Sequence, residues 1–232
     1  MSIAKVEYFE ADSPVHVERV ETFRAEVRQL VGKAAFTDTL PLIRRYITTG
    51  QPVGITPDTY HDLWHQIADG LDLHPNAVVV VGSSRTGFSI CQKEFKPRYR
   101  PFSGDSDVDV AVVDQNLFLG CWAELHRAVY RWRTWVLDES EHRPVYGKRK
   151  VSQRTIGQDV FSGCLNPASL PLALSLIHAD RWFTVFNEAT NKRICDRLPI
   201  RGRLYVSWER LELYQHHMIQ ECASEEASRT KA

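Results

Sequence analysis

Two valine-rich runs constrain this chain more than any other feature. Ala77-Val78-Val79-Val80-Val81 is wholly apolar, with four β-branched residues in a row, and it ends on Gly82. Such residues are restricted in a helix and pack well on a pleated surface, so the run predicts a buried strand. Val108 to Val113 forms a second run, leading out of Ser106-Asp107. In extended backbone, residues i and i+2 share a face. Asp107 and Asp109 are therefore expected side by side at the start of the second strand, with Val108 facing the opposite, buried side. Adjacent carboxylates repel each other, and a bound divalent metal removes that cost.

The remaining pattern is mostly helical. Val17, Val20, Phe23, Val27 and Leu30 recur at spacings of three and four, which predicts a helix over residues 14–33. A short helix follows Asp38, with Leu42, Ile43 and Tyr46 on one side. Thr56-Pro57 is a helix start, a Thr N-cap with Pro at the first helical position, and His74-Pro75 is the stop. Residues 117–137 read as a long helix and residues 138–155 as a polar loop containing Lys148-Arg149-Lys150. Residues 165–177 are apolar but interrupted by Pro167 and Pro171. A helix over 182–194, a strand over 200–206 and a closing helix over 208–222 complete the chain. The expected fold is α+β: a small mixed sheet in a core over residues 76–223, N-terminal helices over 1–75 packed on it, and a frayed polar tail over 224–232.

Composition excludes several classes. Acidic and basic residues balance at 29 each, so whole-chain charge offers no general attraction for nucleic acid or membrane. The five cysteines are scattered and contain no C-x-x-C pair, which argues against a disulfide framework and a structural zinc site. The expectation is reduced thiols in a cytoplasm. No apolar signal segment opens the sequence and no stretch is long and apolar enough to span a membrane.

The chemistry concentrates between residues 82 and 109. A glycine at the end of a buried strand allows close backbone approach to a ligand. In Gly82-Ser83-Ser84-Arg85-Thr86-Gly87, backbone amides and serine hydroxyls are positioned to hold phosphate oxygens, Arg85 adds charge, and a helix is expected to begin. The segment lacks the Gly-Lys-Ser/Thr ending of a P-loop, and Ser83 lacks the G-x-S-x-G setting of a hydrolase nucleophile. The ordered pattern of an apolar strand, Gly82-Ser83, then Ser106-Asp107-Val108-Asp109 entering a second apolar strand resembles the nucleotidyltransferase superfamily that includes DNA polymerase β. The resemblance covers about 35 residues. It implies a polymerase β-like sheet, triphosphate bound by Gly82 and Ser83 with help from Ser84, Arg85 and Ser106, and Mg2+ or Mn2+ bound by Asp107 and Asp109. It also implies transfer of a nucleoside monophosphate from a nucleoside triphosphate, ATP first, to a hydroxyl of RNA, protein or a small molecule. Stand-alone bacterial members of that superfamily include toxin–antitoxin and phage-defence proteins.

Two departures from that pattern stand out. The interval between Gly82 and Asp107 is long, and its surplus alternates basic and aromatic residues. Lys93, Lys96, Arg98 and Arg100 are candidate contacts to phosphate or a nucleic-acid acceptor, with a solvated insertion as the alternative. Arg203, with Arg201 on the same strand face, is a further candidate, against structural ion pairing. The third carboxylate usual in the family has no clean counterpart: Asp159 is the first choice, because Val160 and Phe161 are expected to begin a strand after it, with Asp180 and Glu209 behind it. The rival reading is a catalytically degenerate subunit that binds nucleotide, nucleic acid or a protein partner. His61 and His65 have metal-ligand spacing, but spacing alone favours surface histidines.

Overall fold

The computed structural model describes residues 5–92, 97–131, 153–170 and 176–230. In chain order the helices are α1 (Pro14–Arg28), α2 (Phe36–Ile43), α3 (Pro57–Leu71), the single turn α4 (Ser83–Thr86), α5 (Gln115–Arg131), α6 (Gln153–Phe161), α7 (Ile177–Asn191) and α8 (Trp208–Thr230). A π-helical turn, Arg44–Thr48, continues α2. Local chemistry sets several of these ends. Ser13 and Thr56 cap α1 and α3 by accepting from the His16 and Thr59 amides at 3.3 and 3.4 Å, and a proline follows each cap. Asp72 closes α3 in the left-handed conformation.

The strands β1 (Val78–Val81), β2 (Val108–Val113), β3 (Cys164–Leu165) and β4 (Ile200–Tyr205) form one mixed sheet in the order β1-β2-β4-β3. β2 runs antiparallel to β1 and parallel to β4, while β3 is antiparallel to β4. The architecture is α+β. Both faces of the sheet are covered, which is why the valine runs do not alternate with polar residues. Val80, Val110, Val112 and Leu204 pack with Leu63 and Ile67 of α3, Phe118 of α5 and Trp182 of α7. Val79, Val81, Ala111 and Val113 pack instead with Phe23 and Val27 of α1 and with Leu211 and Ile219 of α8. On the first face Gly202 of β4 lies beneath the stacked rings of Trp182 and Phe186, 4.7 Å apart. A Cβ at Gly202 would stand 2.2 Å from Phe186 Cζ.

The structure corrects three expectations. Residues 153–161 are helical rather than loop and strand, α7 begins five residues before Trp182, and α8 continues through the polar segment after Ser224. That last turn is not frayed because it is held by charge. Glu226, 2% exposed, accepts from Arg24 Nε at 2.7 Å and from Arg28 Nε at 2.8 Å, tying α8 to α1. Lys148-Arg149-Lys150 lies outside the described residues.

Burial alone would push the Glu226 carboxyl up, but the hydrogen bonds and charges of Arg24 and Arg28 hold it below the ordinary value of 4.5. A depressed folded-state value means the contribution is full above the unfolded-state value and is lost as pH falls through the folded one. Glu226→Gln is expected to cost about 2 kcal/mol at pH 7, the scale of a charged buried hydrogen bond. The deficit should close as pH falls below about 4.5, where the wild type also loses its carboxylate. Urea unfolding of both proteins at neutral and acid pH checks it; a deficit independent of pH would contradict the assignment.

Among the described residues no helix is long and apolar enough to cross a membrane. The five cysteines form no disulfide among the described residues, and four of them are buried.

Candidate functional site

The acid pair sits where β2 leaves a tight turn. Ser106 Oγ accepts from the Ser103 amide at 3.1 Å, and the Ser106 amide donates to the Ser103 carbonyl at 3.0 Å. The Val108 amide then donates to Pro199 O at 2.9 Å, which ties the start of β2 to the start of β4. Val108 is fully buried on the Trp182 face, whereas Asp107 and Asp109 are both partly exposed. The cross-strand neighbours of Asp109 are Val81 on β1 and Arg201 on β4. Arg201 Nε lies 3.4 Å from Asp107 Oδ2, so one guanidinium reaches the first carboxylate from the position paired with the second.

Gly82 completes the site. Its backbone adopts φ +69° and ψ −153°, a conformation that essentially only glycine occupies. A Cβ there would fall 2.6 Å from Asp109 Oδ2. The glycine therefore serves two needs: it turns the chain out of β1, and it leaves the Asp109 carboxylate in contact with bare backbone. Gly82→Ala is expected to cost about 2 kcal/mol in stability from backbone strain and to displace Asp109. Thermal unfolding with and without ATP and Mg2+ checks both parts. An alanine variant with wild-type melting and wild-type response to ATP would contradict the fit.

The structure distributes the other candidates differently. Ser83 is partly exposed beside Gly82. The Gly82 carbonyl takes the Arg85 and Thr86 amides at 3.1 and 3.3 Å, and the first amides of a helical turn have no acceptor within it. α4 is a single turn, so it brings little dipole. Ser84 is fully buried with Oγ donating to Val81 O at 3.3 Å. Arg85, 3% exposed, donates to the carbonyls of Gly50 at 2.5 Å and Tyr46 at 3.3 Å, and burial lowers its pKa. Arg85 thus pins residues 46–50 instead of facing a ligand. Ser106 serves the turn before β2.

The long interval is also anchored. Phe88 and Pro101 form a β-bridge, and Tyr99 packs edge-on against Phe23 and Phe88. Arg98 donates to Glu225 of α8 at 2.8 Å and to the Ile90 carbonyl, so it is committed to the protein's own groups. Arg100 carries a buried Nη1 that finds no hydrogen-bond partner among the described residues, and its carbonyl accepts from Ser89 at 2.8 Å. Lys93 and Lys96 lie outside the described residues. Arg203, two residues beyond Arg201, places its guanidinium 5.0 Å from the Tyr214 ring centre.

None of the proposed third acids is brought to the pair. Asp159 is an exposed residue of α6, electrostatically coupled to Cys164, and Cys164 pairs with Tyr205 at the far end of β4. Glu209 opens α8, beyond that same end. Asp180 lies in the first turn of α7, on the sheet's other face. Among the described residues no three His, Cys, Asp or Glu side chains form a metal-binding group. A cavity of about 610 Å³ lies at the opposite end of β1 from Gly82, lined in part by Tyr60, Trp64, Asn76 and Trp208, and it does not include the acid pair.

No family model, no curated protein and no solved structure matches the chain.

The residue that sequence reasoning undervalued is Arg201. It was noticeable as a strand arginine, but its place beside Asp109 depends on a parallel pairing between strands distant in sequence. No local pattern encodes that register.

Two carboxylates are oxygen donors of the kind a hard divalent cation takes, and Mg2+ is commonly bound by one or two carboxylates together with substrate phosphates and water. Opposite Asp109 the backbone carries no Cβ to close the space.

Proposed function

We propose that the chain is a metal-dependent nucleotidyltransferase of the polymerase β-like type, acting on a nucleoside triphosphate, most readily ATP. The observation that carries this reading is the seating of Asp109 against Gly82, with Asp107 two residues before it and a cationic side chain alongside. That juxtaposition is what a triphosphate with its cation requires: oxygen ligands, exposed amides and a backbone that permits close approach. The topology is consistent with it, since β1 antiparallel to β2 and β2 parallel to β4 puts the glycine turn and the acids at one end of the sheet.

In this reading Asp107 and Asp109 hold Mg2+ or Mn2+, which supplies the positive charge a polyphosphate needs during phosphoryl transfer. The Gly82-Ser83 turn holds phosphate oxygens. An acceptor hydroxyl on RNA, protein or a small molecule gives its proton to water and forms a bond to the α-phosphorus, the bond from the α-phosphorus to the bridging oxygen breaks, and pyrophosphate leaves. Arg201, 40% exposed along its side chain, is within reach of a bound anion. Arg85, Arg98 and Ser84 shape the scaffold around the site.

The test is incubation with labelled ATP, CTP, GTP and UTP, Mg2+ or Mn2+ and cell extract, comparing the wild type with Asp107→Ala/Asp109→Ala. Label transferred by the wild type alone is the expected result; transfer by both proteins, or by neither, would sink catalysis. A second reading is favoured by one observation, the arginine where a third acid would be sought. It is a degenerate nucleotidyltransferase fold that binds nucleotide as a regulatory subunit, in a toxin–antitoxin or phage-defence setting for example. ATP binding that depends on Asp107 and Asp109, with no label transfer, would distinguish it.

A further inference from the structure

We propose that the cavity beside β1 is a binding site for a neutral planar heteroaromatic of the adenine type, separate from the acid pair. Its volume, about 610 Å³, falls in the range of small-molecule sites. Flat aromatic side chains line it. Tyr60 and Trp64, one turn apart on α3, hold their rings nearly parallel, with 5.8 Å between centres and 11° between planes. Trp208, the first residue of α8, adds a third ring and is 41% exposed. Such rings stack well on another flat π system, and every nucleobase offers one.

The charge of the lining narrows the ligand. Among the described residues its only charged members are Arg44 and Glu212, and they are paired, with Arg44 Nε donating to Glu212 Oε1 at 2.8 Å. The lining therefore carries no net charge to draw a polyphosphate or a metal ion, and it suits a neutral ring. Hydrogen bonding narrows it further. Gln51 and Asn76 bring side-chain amides, each both donor and acceptor, and an amide of that kind matches the N6 and N7 edge of adenine. Two other groups of the wall are unmatched. Thr48, 9% exposed, has a buried Oγ1 with no hydrogen-bond partner among the described residues, and the same is true of Trp64 at Nε1. An indole N–H only donates, so it needs an acceptor, which the ring nitrogens of a heteroaromatic supply and a hydrocarbon does not. A buried polar group left unpaired is costly, and a ligand that pairs it removes the cost. Both atoms are shielded from solvent, and Thr48 turns its hydroxyl to the entering ring by a rotamer change.

The experiment titrates the full chain, without metal, with adenosine, guanosine, cytidine and uridine by isothermal calorimetry up to millimolar concentration. Wild type is expected to bind one adenosine and to prefer it to the other three. Trp208→Ala should weaken adenosine about tenfold, the scale of one base–aromatic stacking contact. Thr48→Val, which keeps the shape and removes the hydroxyl, should weaken it about fivefold, the scale of one neutral hydrogen bond. Asp107→Ala/Asp109→Ala should bind adenosine as the wild type does. Circular dichroism melts report whether each variant is folded, and the surface change at Trp208 keeps the test decisive if the valine variant is not. No heat with any nucleoside would overturn the proposal. So would equal affinity for all four, or folded Trp208→Ala and Thr48→Val variants that bind as tightly as the wild type. Adenosine binding lost in Asp107→Ala/Asp109→Ala would place the nucleoside at the acid pair, overturning this proposal and leaving the reading of that pair standing.

Discussion

Asp109→Asn is expected, on the nucleotidyltransferase reading proposed above, to lower nucleotidyl transfer about 100-fold or more while leaving the protein about as stable as before. The loss is on the scale seen when a preorganised charge is removed from a reacting centre. The preserved stability follows from the setting. Asp107 and Asp109 leave the same end of β2, and one of two mutually repelling carboxylates becomes a neutral amide of the same shape. Arg201 still reaches Asp107 at 3.4 Å, so the cross-strand ion pair survives. A ligand that binds only the folded state raises its stability in proportion to occupancy. ATP with Mg2+ should therefore raise the wild-type melting temperature and leave that of the asparagine variant unchanged. A variant that both melts early and loses activity would show Asp109 to be a structural residue, and the functional reading would fail with it.

Gly202→Ala is expected to be the most damaging small substitution in the fold. A methyl group there would stand 2.2 Å from Phe186 Cζ and 2.6 Å from Trp182 Cζ2. Those rings are stacked and buried, and they belong to a helix packed directly on the sheet. Neither can turn aside without opening the core that also holds Val110 and Leu204. Overpacking of this kind costs about 3 kcal/mol. For a chain of this size that lowers the melting temperature by about 10 °C. Calorimetry checks this; an alanine variant that melts like the wild type would mean that α7 does not sit this close to β4.

Of the strands among the described residues, β1, β2 and β4 were legible and the two-residue β3 was not; for β1 and β2 composition leaves little choice. The valine runs of β1 and β2 lie within a residue of where β-branching and Gly82 place them, and β4 ends one residue early. The start of α3 was legible because Thr56 and Pro57 act on their own backbone. What local chemistry could not reveal depended on distant partners. The polar end of α8 reads as a frayed tail until Arg24 and Arg28 are seen to hold Glu226. Arg85 and Arg98 look like ligand contacts in isolation, because an arginine beside a glycine turn reads the same whether its guanidinium faces phosphate or a neighbouring carbonyl. Asp159 was chosen on an expected strand that proved to be helix. For the site itself, the i, i+2 spacing of the two acids was visible in the sequence. The positive φ at Gly82 and the guanidinium beside Asp107 required the tertiary structure.

The parallel pairing of β2 with β4 has a consequence for how the molecule forms. Val108 meets Ile200 only after α5, α6 and α7 have been made between them. Contacts so distant along the chain pay their loop-closure entropy before they return any energy, which makes them slow to form. During synthesis β1 and β2 can pair as soon as both have emerged, but one edge of β2 stays open until β4 arrives. An open valine-rich edge is a template for pairing with another chain. Nascent chains halted before residue 200 are thus expected to associate with one another or with holding chaperones. The acid pair acquires its arginine counter-charge only once β4 has been made.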